Sequence, residues 1–263
     1  MNKMTRMFDK TNFNATSLLF AAFAILFSHT ASSEVLDYYV VQDQAEPFQI
    51  QDKGTNHHGI ITDILYKALE GSKYTLDIHT YPFNRMMAEM SSNQHRNWVT
   101  YGSPLWGDMQ SANLSSQPIF DVEHSILSST NSTFTYKNPE DLDGKVAVLL
   151  LGFNYPGLDG EIESGALSEV RVKNHQSAFR VVNRLKDIGG FVEMDLRLQY
   201  HLKRLGFTNK DYKLESISNV IPNYGIHIAF SPGIDHEIKE FIDNRLEEMV
   251  KKNEIEVIIA KYQ

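Results

Sequence analysis

Apolar residues change their spacing several times along the chain, and each change marks an element. The run "VLDYYVVQ" (residues 35–42) is apolar and aromatic enough to read as a strand. In "GIITDILYKALEG", Ile60, Ile61, Ile64, Leu65, Ala68 and Leu69 recur at helical spacing, and Gly71 closes the stripe. Residues 74–81, "YTLDIHTY", alternate as a strand. Helical spacing returns through Met86, Met87 and Met90, and "NWVTYG" supplies another short strand.

The same rhythm restarts at Lys145. "KVAVLLL" predicts a buried strand and "EVRVK" a second. The helix "QSAFRVVNRLKDIG" carries Ala178, Phe179, Val181, Val182 and Leu185 on one side, and "GGFVEM" predicts a third strand. "DLRLQYHLKRLG" follows as a helix with Asp195 as its expected cap and Gly206 as its stop. Strands alternating with helices predict parallel sheets covered on both faces. The expected fold class is therefore α/β, with two lobes: residues 34–126 plus 229–263, and residues 127–228. "VEHSILSST" (122–130) and "NYGIHIAFSPG" (223–233) are extended enough to cross between them as two hinge strands, and the final helices would pack back on the first lobe. Ligands of such sheets bind beyond the strands' carboxyl ends, so the tip Phe153-Asn154-Tyr155 is expected to face the other lobe across a cleft.

Composition adds location and excludes chemistry. Among the 263 residues, the first 33 read as a secretory signal peptide. Lys3, Arg6 and Lys10 give a basic start, "LLFAAFAILF" an apolar run, and Ala31-Ser32-Ser33 a small-residue cleavage site. That run is well short of the roughly 20 residues needed to span a bilayer. The chain has no cysteine, which removes disulfides, thiol catalysis, thiolate metal sites and lipoprotein acylation. An exported, cysteine-free chain predicts the periplasm, with no membrane insertion after cleavage and a monomeric state. The leader holds three basic residues and one acidic, Asp9; the remainder of the chain's 25 Lys plus Arg and 33 Asp plus Glu is 22 against 32. That acidic balance opposes nucleic-acid binding.

No GxSxG elbow, phosphate loop or GxGxxG turn occurs, and the histidines, His57-His58 included, lack metal-ligand spacing. No cofactor, metal or catalytic residue is expected. Phe48, Tyr101, Trp106, Phe153 and Tyr155 fall in or beside strand-end loops, where aromatics serve either as binding platforms or as core.

The ordered segments "PF" (Pro47-Phe48), "HGIITDIL", "YPFNRMMAEM", "SSQPIF", "DLDGKVAVLLLG", "GGFVEMD", "YGIHIAFSPG" and a final helix ending in "KY" resemble the bacterial extracellular solute-binding proteins of the amino-acid type, family 3. The resemblance spans the chain after its leader. It implies a type II periplasmic binding protein that holds a small polar ligand between its lobes and delivers it to an ABC importer. A periplasmic sensor partner is the alternative, and a dehydratase-like enzyme on the same scaffold, with Glu193 as its acid, is a third reading.

Carried over residue by residue, Asp195 matches the family acid that binds an α-amino group, a use compatible with helix capping, and Ser103 matches a hydroxyl ligand. The Arg that would clamp the α-carboxylate is missing, with Asp108 near its place; Arg85, at the start of a helix, is the expected substitute. Ala45 stands where the family has a stacking aromatic.

Overall fold

The computed structural model describes residues 33–52 and 57–263, so the expected signal peptide lies outside the described residues except for Ser33. The chain opens with β1 (Glu34–Val41), β2 (Ile50–Gln51), β3 (His57–His58), α1 (Ile60–Leu69), β4 (Tyr74–Tyr81), α2 (Phe83–Ser92), β5 (Trp98–Gly102) and β6 (Phe120–Val122). Then come β7 (His124–Ser129), β8 (Val146–Leu150), α3 (Asp159–Ser164), β9 (Ser168–Val172), α4 (His175–Leu185), β10 (Gly189–Met194), α5 (Asp195–Leu205) and β11 (Tyr212–Ser216). It closes with β12 (Tyr224–Phe230), α6 (His236–Lys251) and α7 (Glu254–Ile259).

These strands form two five-stranded sheets, one for each lobe, ordered β4-β1-β5-β12-β6 and β11-β7-β10-β8-β9; since β7 lies wholly in the second and β12 wholly in the first, the chain changes lobe at Glu123 and within residues 217–223, a few residues before each expected boundary. The expectation of parallel sheets needs correction, because both are mixed. In the first, β1 runs parallel to β4 and β5 while β12 is antiparallel to β5 and β6. In the second, β8 is parallel to β9 and β10, and β7 is antiparallel to β10 and β11. The reversed strands are the ones next to the two crossings. The chain leaves the first sheet after β6 through Glu123 and returns through residues 217–223 into β12, so it enters each sheet against the grain of the βαβ units.

Alternation along β1 explains its burial on both faces. Leu36, Tyr38 and Val40 pack with Ile60, Ile61, Ile64 and Leu65 of α1 and with Ile238, Ile242 and Leu246 of α6. Tyr39 and Val41 point the other way, against Met86, Met90 and Trp98. β8 repeats the arrangement: Ala147 and Leu149 meet Tyr155 and Leu158, while Val148 and Leu150 meet Ala178, Phe179 and Val182. Each such aliphatic side chain contributes roughly 1.5–3 kcal/mol by leaving water.

Two local details set up the cleft. Asp195 is the first helical residue of α5, not its cap: Met194 holds the cap position and no side chain caps the helix. A carboxylate in that first turn still complements the helix dipole. Gly102 ends β5 where the chain must fold back on itself. Ser103 N donates to Gln110 O at 3.1 Å, and a Cβ on Gly102 would lie 1.8 Å from that same oxygen. Gly102→Ala is therefore expected to destabilise the protein by about 1–3 kcal/mol, seen as a lower urea midpoint; an unchanged midpoint would show that the loop yields freely. No helix among the described residues is long and apolar enough to cross a membrane.

Candidate functional site

Between the two sheets lies a cavity of about 80 Å³ walled by side chains from both lobes. Phe83 and Met87 reach it from one face of α2, Tyr101 from β5, Trp106 and Asp108 from the loop that Gly102 turns, and Tyr224 from β12. Opposite them stand His124 from β7, Phe153 and Tyr155 from the loop after β8, Glu193 from β10 and Arg197 from α5.

The aromatic walls are held by specific contacts. Phe83 and Phe153 meet across the cleft with ring centres 5.0 Å apart. Trp106 packs edge-on against Tyr101 at 5.4 Å and Tyr224 at 6.4 Å, and its Nε1 donates to the Tyr224 hydroxyl at 3.0 Å. The Tyr155 hydroxyl accepts from Leu150 N at 3.0 Å, tying the tip to the end of β8, and Arg171 Nη1 donates to Phe153 O at 2.7 Å.

The electrostatic centre is Arg197, 2 % exposed. Its Nη1 donates to Glu193 Oε1 at 3.2 Å, its Nη2 to Gln44 O, and its Nε to Glu46 O at 3.4 Å. The guanidinium also lies over the rings of Phe48 and Phe153, 5.9 and 5.3 Å from their centres. One side chain of the second lobe thus holds two main-chain carbonyls of the first. Glu46 pairs with Arg204, and Gln44 Nε2 donates to Leu151 O at 3.2 Å and Lys173 O at 3.1 Å, so the segment after β1 is fastened to the opposite lobe at several points.

Beneath Arg197, Glu193 Oε2 sits 3.2 Å from His175 Nε2, and the His175 ring stacks on His201 at 3.7 Å. Burial works against the Glu193 charge, but the Arg197 guanidinium, His175 and the Met194 amide outweigh it and hold the carboxyl below its ordinary range. Burial lowers the pKa of both His175 and His201 and keeps them neutral. His124 is buried as well: its Nδ1 has no partner among the described residues, and burial pushes its pKa down to about 4.

No protein-family model matches the chain. No curated protein matches it in sequence. Solved structures do match. An arginine-binding protein from T. maritima superposes with a TM-score of 0.66 at 22% identity, over 87% of this chain and 94% of its own. The periplasmic VFT2 domain of Bordetella pertussis BvgS gives 0.67 at 16%, over 96% and 99%. A histidine kinase sensor domain with similarity to periplasmic binding proteins gives 0.68 at 19%, over 88% and 96%. The chain has the type II periplasmic binding fold.

Seen in this fold, the sequence-predicted residues divide. Tyr101, Trp106, Phe153 and Tyr155 gather on the interlobe cavity. Phe48 lies behind it, fully buried, with its ring centre 5.8 Å from that of Tyr101. Ser103 is fully buried too and does not line the cavity; its amide and carbonyl are bonded to Gln110 O and Trp106 N, so it shapes the loop.

Arg85 and Asp195 are not on the cavity. Helix α2 sends Met86 and Met90 into the core and Phe83 and Met87 toward the cleft, which leaves Arg85 outward, its side chain 65% exposed, over the Tyr81 ring and 3.6 Å from Glu89. Asp195 lines a separate depression with Phe120, Glu123 and Gln199. Its Oδ1 is buried without a partner among the described residues, and burial raises its pKa.

The sequence reading passed over Arg197, His124, Tyr224 and Phe83. Arg197 had one available signal: it lies four residues after Glu193, the spacing at which an acid entering a helix meets a base one turn on. Among the described residues, Asp37, Asp77 and His79 form the one group with metal-ligand potential. None of the three lines the cleft, and Arg96 Nη2 already sits 3.0 Å from Asp37.

Proposed function

We propose that this chain is a periplasmic binding protein that closes its two lobes on a small molecule and presents the closed form to a membrane partner. The observation that carries this reading is the aromatic cavity itself, whose walls come from both lobes, so that a ligand touches all of them only when the cleft is shut. The named roles of the structural neighbours, arginine binding and amino-acid ABC transport among them, support it. Glu193 suits the dehydratase reading poorly in either role: held ionised by Arg197 it has no proton to give as a general acid, and with its basicity lowered it is a weak general base.

The partner is an ABC importer if closure requires ligand and a sensor domain if it does not. The second reading draws on one observation: Arg197 and Glu46 fasten the lobes together with the chain's own groups. The histidine kinase sensor domain among the structural neighbours is consistent with it.

A thermal-shift screen of amino acids, polyamines, small peptides and neutral and charged aromatic compounds tests ligand capture. A ligand at one hundred times its dissociation constant should add about 2.7 kcal/mol, a rise of several degrees, and Phe153→Ala should abolish it. A rise that survives Phe153→Ala would place the ligand outside the cleft. Small-angle scattering with and without that ligand then separates the partners: an importer-type protein contracts on binding, whereas an already closed sensor does not.

A further inference from the structure

We infer that the cleft selects a small, uncharged aromatic molecule carrying one hydrogen-bonding substituent, and not a free α-amino acid. The inference rests on the cleft reading above and names the chemistry of its ligand.

The first argument is charge. Inside the cavity the ionised groups are Arg197 and Glu193, and they are bonded to each other at 3.2 Å. Arg197 gives one further N–H each to Gln44 O and Glu46 O, while Glu193 Oε1 also accepts from the Met194 amide and its Oε2 faces His175 at 3.2 Å. Each charge is already countered by the other, so a ligand's carboxylate or ammonium would have to compete with the partner ion. Asp108 also borders the cavity, but it is exposed at the rim, where water screens it. Any net charge brought inside would lose its hydration and meet only counter-ions that are already paired with each other. Asp195, the acid expected to hold an α-amino group, is on a different surface.

The second argument is shape and polarity. The Phe83–Phe153 pair and the Trp106 ring offer flat apolar faces from both lobes, which is what a planar ligand stacks on. The cavity, about 80 Å³, is smaller than the roughly 150 Å³ that admits benzene in an engineered core. The ligand is therefore one ring rather than several, and it enters with a slight parting of the lobes.

The third is a polar group in want of a partner. His124 is buried, lines the cavity, and leaves Nδ1 without a hydrogen bond among the described residues. Next to it, with ring centres 5.6 Å apart, the Tyr224 hydroxyl accepts from Trp106 Nε1 and keeps its own proton to donate. A neutral imidazole beside a phenol can give and receive one hydrogen bond each, which matches an amide or a similar uncharged substituent.

Titration calorimetry on the purified protein with four single-ring probes tests this: benzamide, benzoate, benzylamine and L-phenylalanine. They share a ring and differ in charge. Benzamide is expected to bind about tenfold or more tightly than the other three, and His124→Phe and Tyr224→Phe are each expected to weaken it by about tenfold, the worth of one neutral hydrogen bond. The Tyr224 variant removes a single oxygen and guards against a misfolded His124 variant. Tighter binding of benzoate, benzylamine or phenylalanine, lost in Phe153→Ala, would overturn the ligand class and leave the cleft reading standing. Binding of benzamide that ignores both variants would overturn the assigned contacts. Binding of none of the four would overturn this inference, and the cleft reading falls with it if the wider screen also produces no shift.

Discussion

Arg197→Met is expected to lower the unfolding free energy by about 3–5 kcal/mol, the usual cost of leaving one member of a buried ion pair alone. Glu193 would keep its charge in a desolvated site with only His175 and one amide to stabilise it. The carbonyls of Gln44 and Glu46 would lose their donor at the same time. Chemical denaturation measures the loss, and two controls give it meaning. Removing both ions, as Arg197→Met with Glu193→Leu, should recover most of the stability, because no orphaned charge remains. Small-angle scattering of the single variant should show a larger radius of gyration than the parent, because the contact it removes joins the two lobes. A stable, equally compact variant would mean that the remaining interlobe contacts, the aromatic ones with those of Gln44 and the Glu46–Arg204 pair, hold the lobes without Arg197.

Acid should weaken the fold well before ordinary carboxylates titrate. His124, His175 and His201 all have folded pKa values below their unfolded value of about 6.5. A histidine of this kind binds its proton more readily in the unfolded chain, so its contribution to stability is intact above about pH 6.5 and is lost as pH falls toward the folded value. For His124, folded value about 4, the loss is roughly 2 kcal/mol at pH 5 and about 3 at pH 4. His175 and His201 act in the same direction. The charged groups around them are Glu193, Glu46, Arg197 and Arg204. Glu193, whose folded value is also depressed, withdraws its share only below about pH 4.5. Urea midpoints at pH 7.5, 6 and 5 should fall steadily, and His124→Phe should flatten part of the slope. Midpoints unchanged down to pH 5 would mean that the three rings gain protons as easily folded as unfolded.

What the sequence made legible follows from which signals are local. The strand "YTLDIHTY" and the strand "GGFVEM" coincide with β4 and β10 because period-two alternation and a bounded apolar run are properties of the segment alone. The stripe from Ile60 to Leu69 is α1 for the same reason. Strand direction was not legible at the crossings, since β7 and β12 have the composition of their parallel neighbours and differ only in where the chain comes from. The aromatic tip was placed correctly on the cleft because loops at strand ends are bound to lie there. Arg85 and Arg197 show the limit. Both sit within the first turn of a helix that follows a strand, and only the packing of Met86 and Met90 turns one outward while the fold of residues 44–46 turns the other inward. His124 was invisible for a further reason: nothing in a lone histidine announces that its neighbours in space will leave it unpaired.

The acceptors that Arg197 uses across the cleft belong to the main chain. Every residue supplies the same carbonyl whatever its side chain, so exchanging Gln44 would cost its own side-chain bonds to Leu151 O and Lys173 O without withdrawing the oxygen that Arg197 binds. A pairing of two side chains can be broken from either end, whereas this one is exposed to point mutation almost wholly at position 197. As far as this contact alone is concerned, position 44 needs only to keep its backbone path, and a search for coupled substitutions between positions 44 and 197 would find little even though the two residues touch.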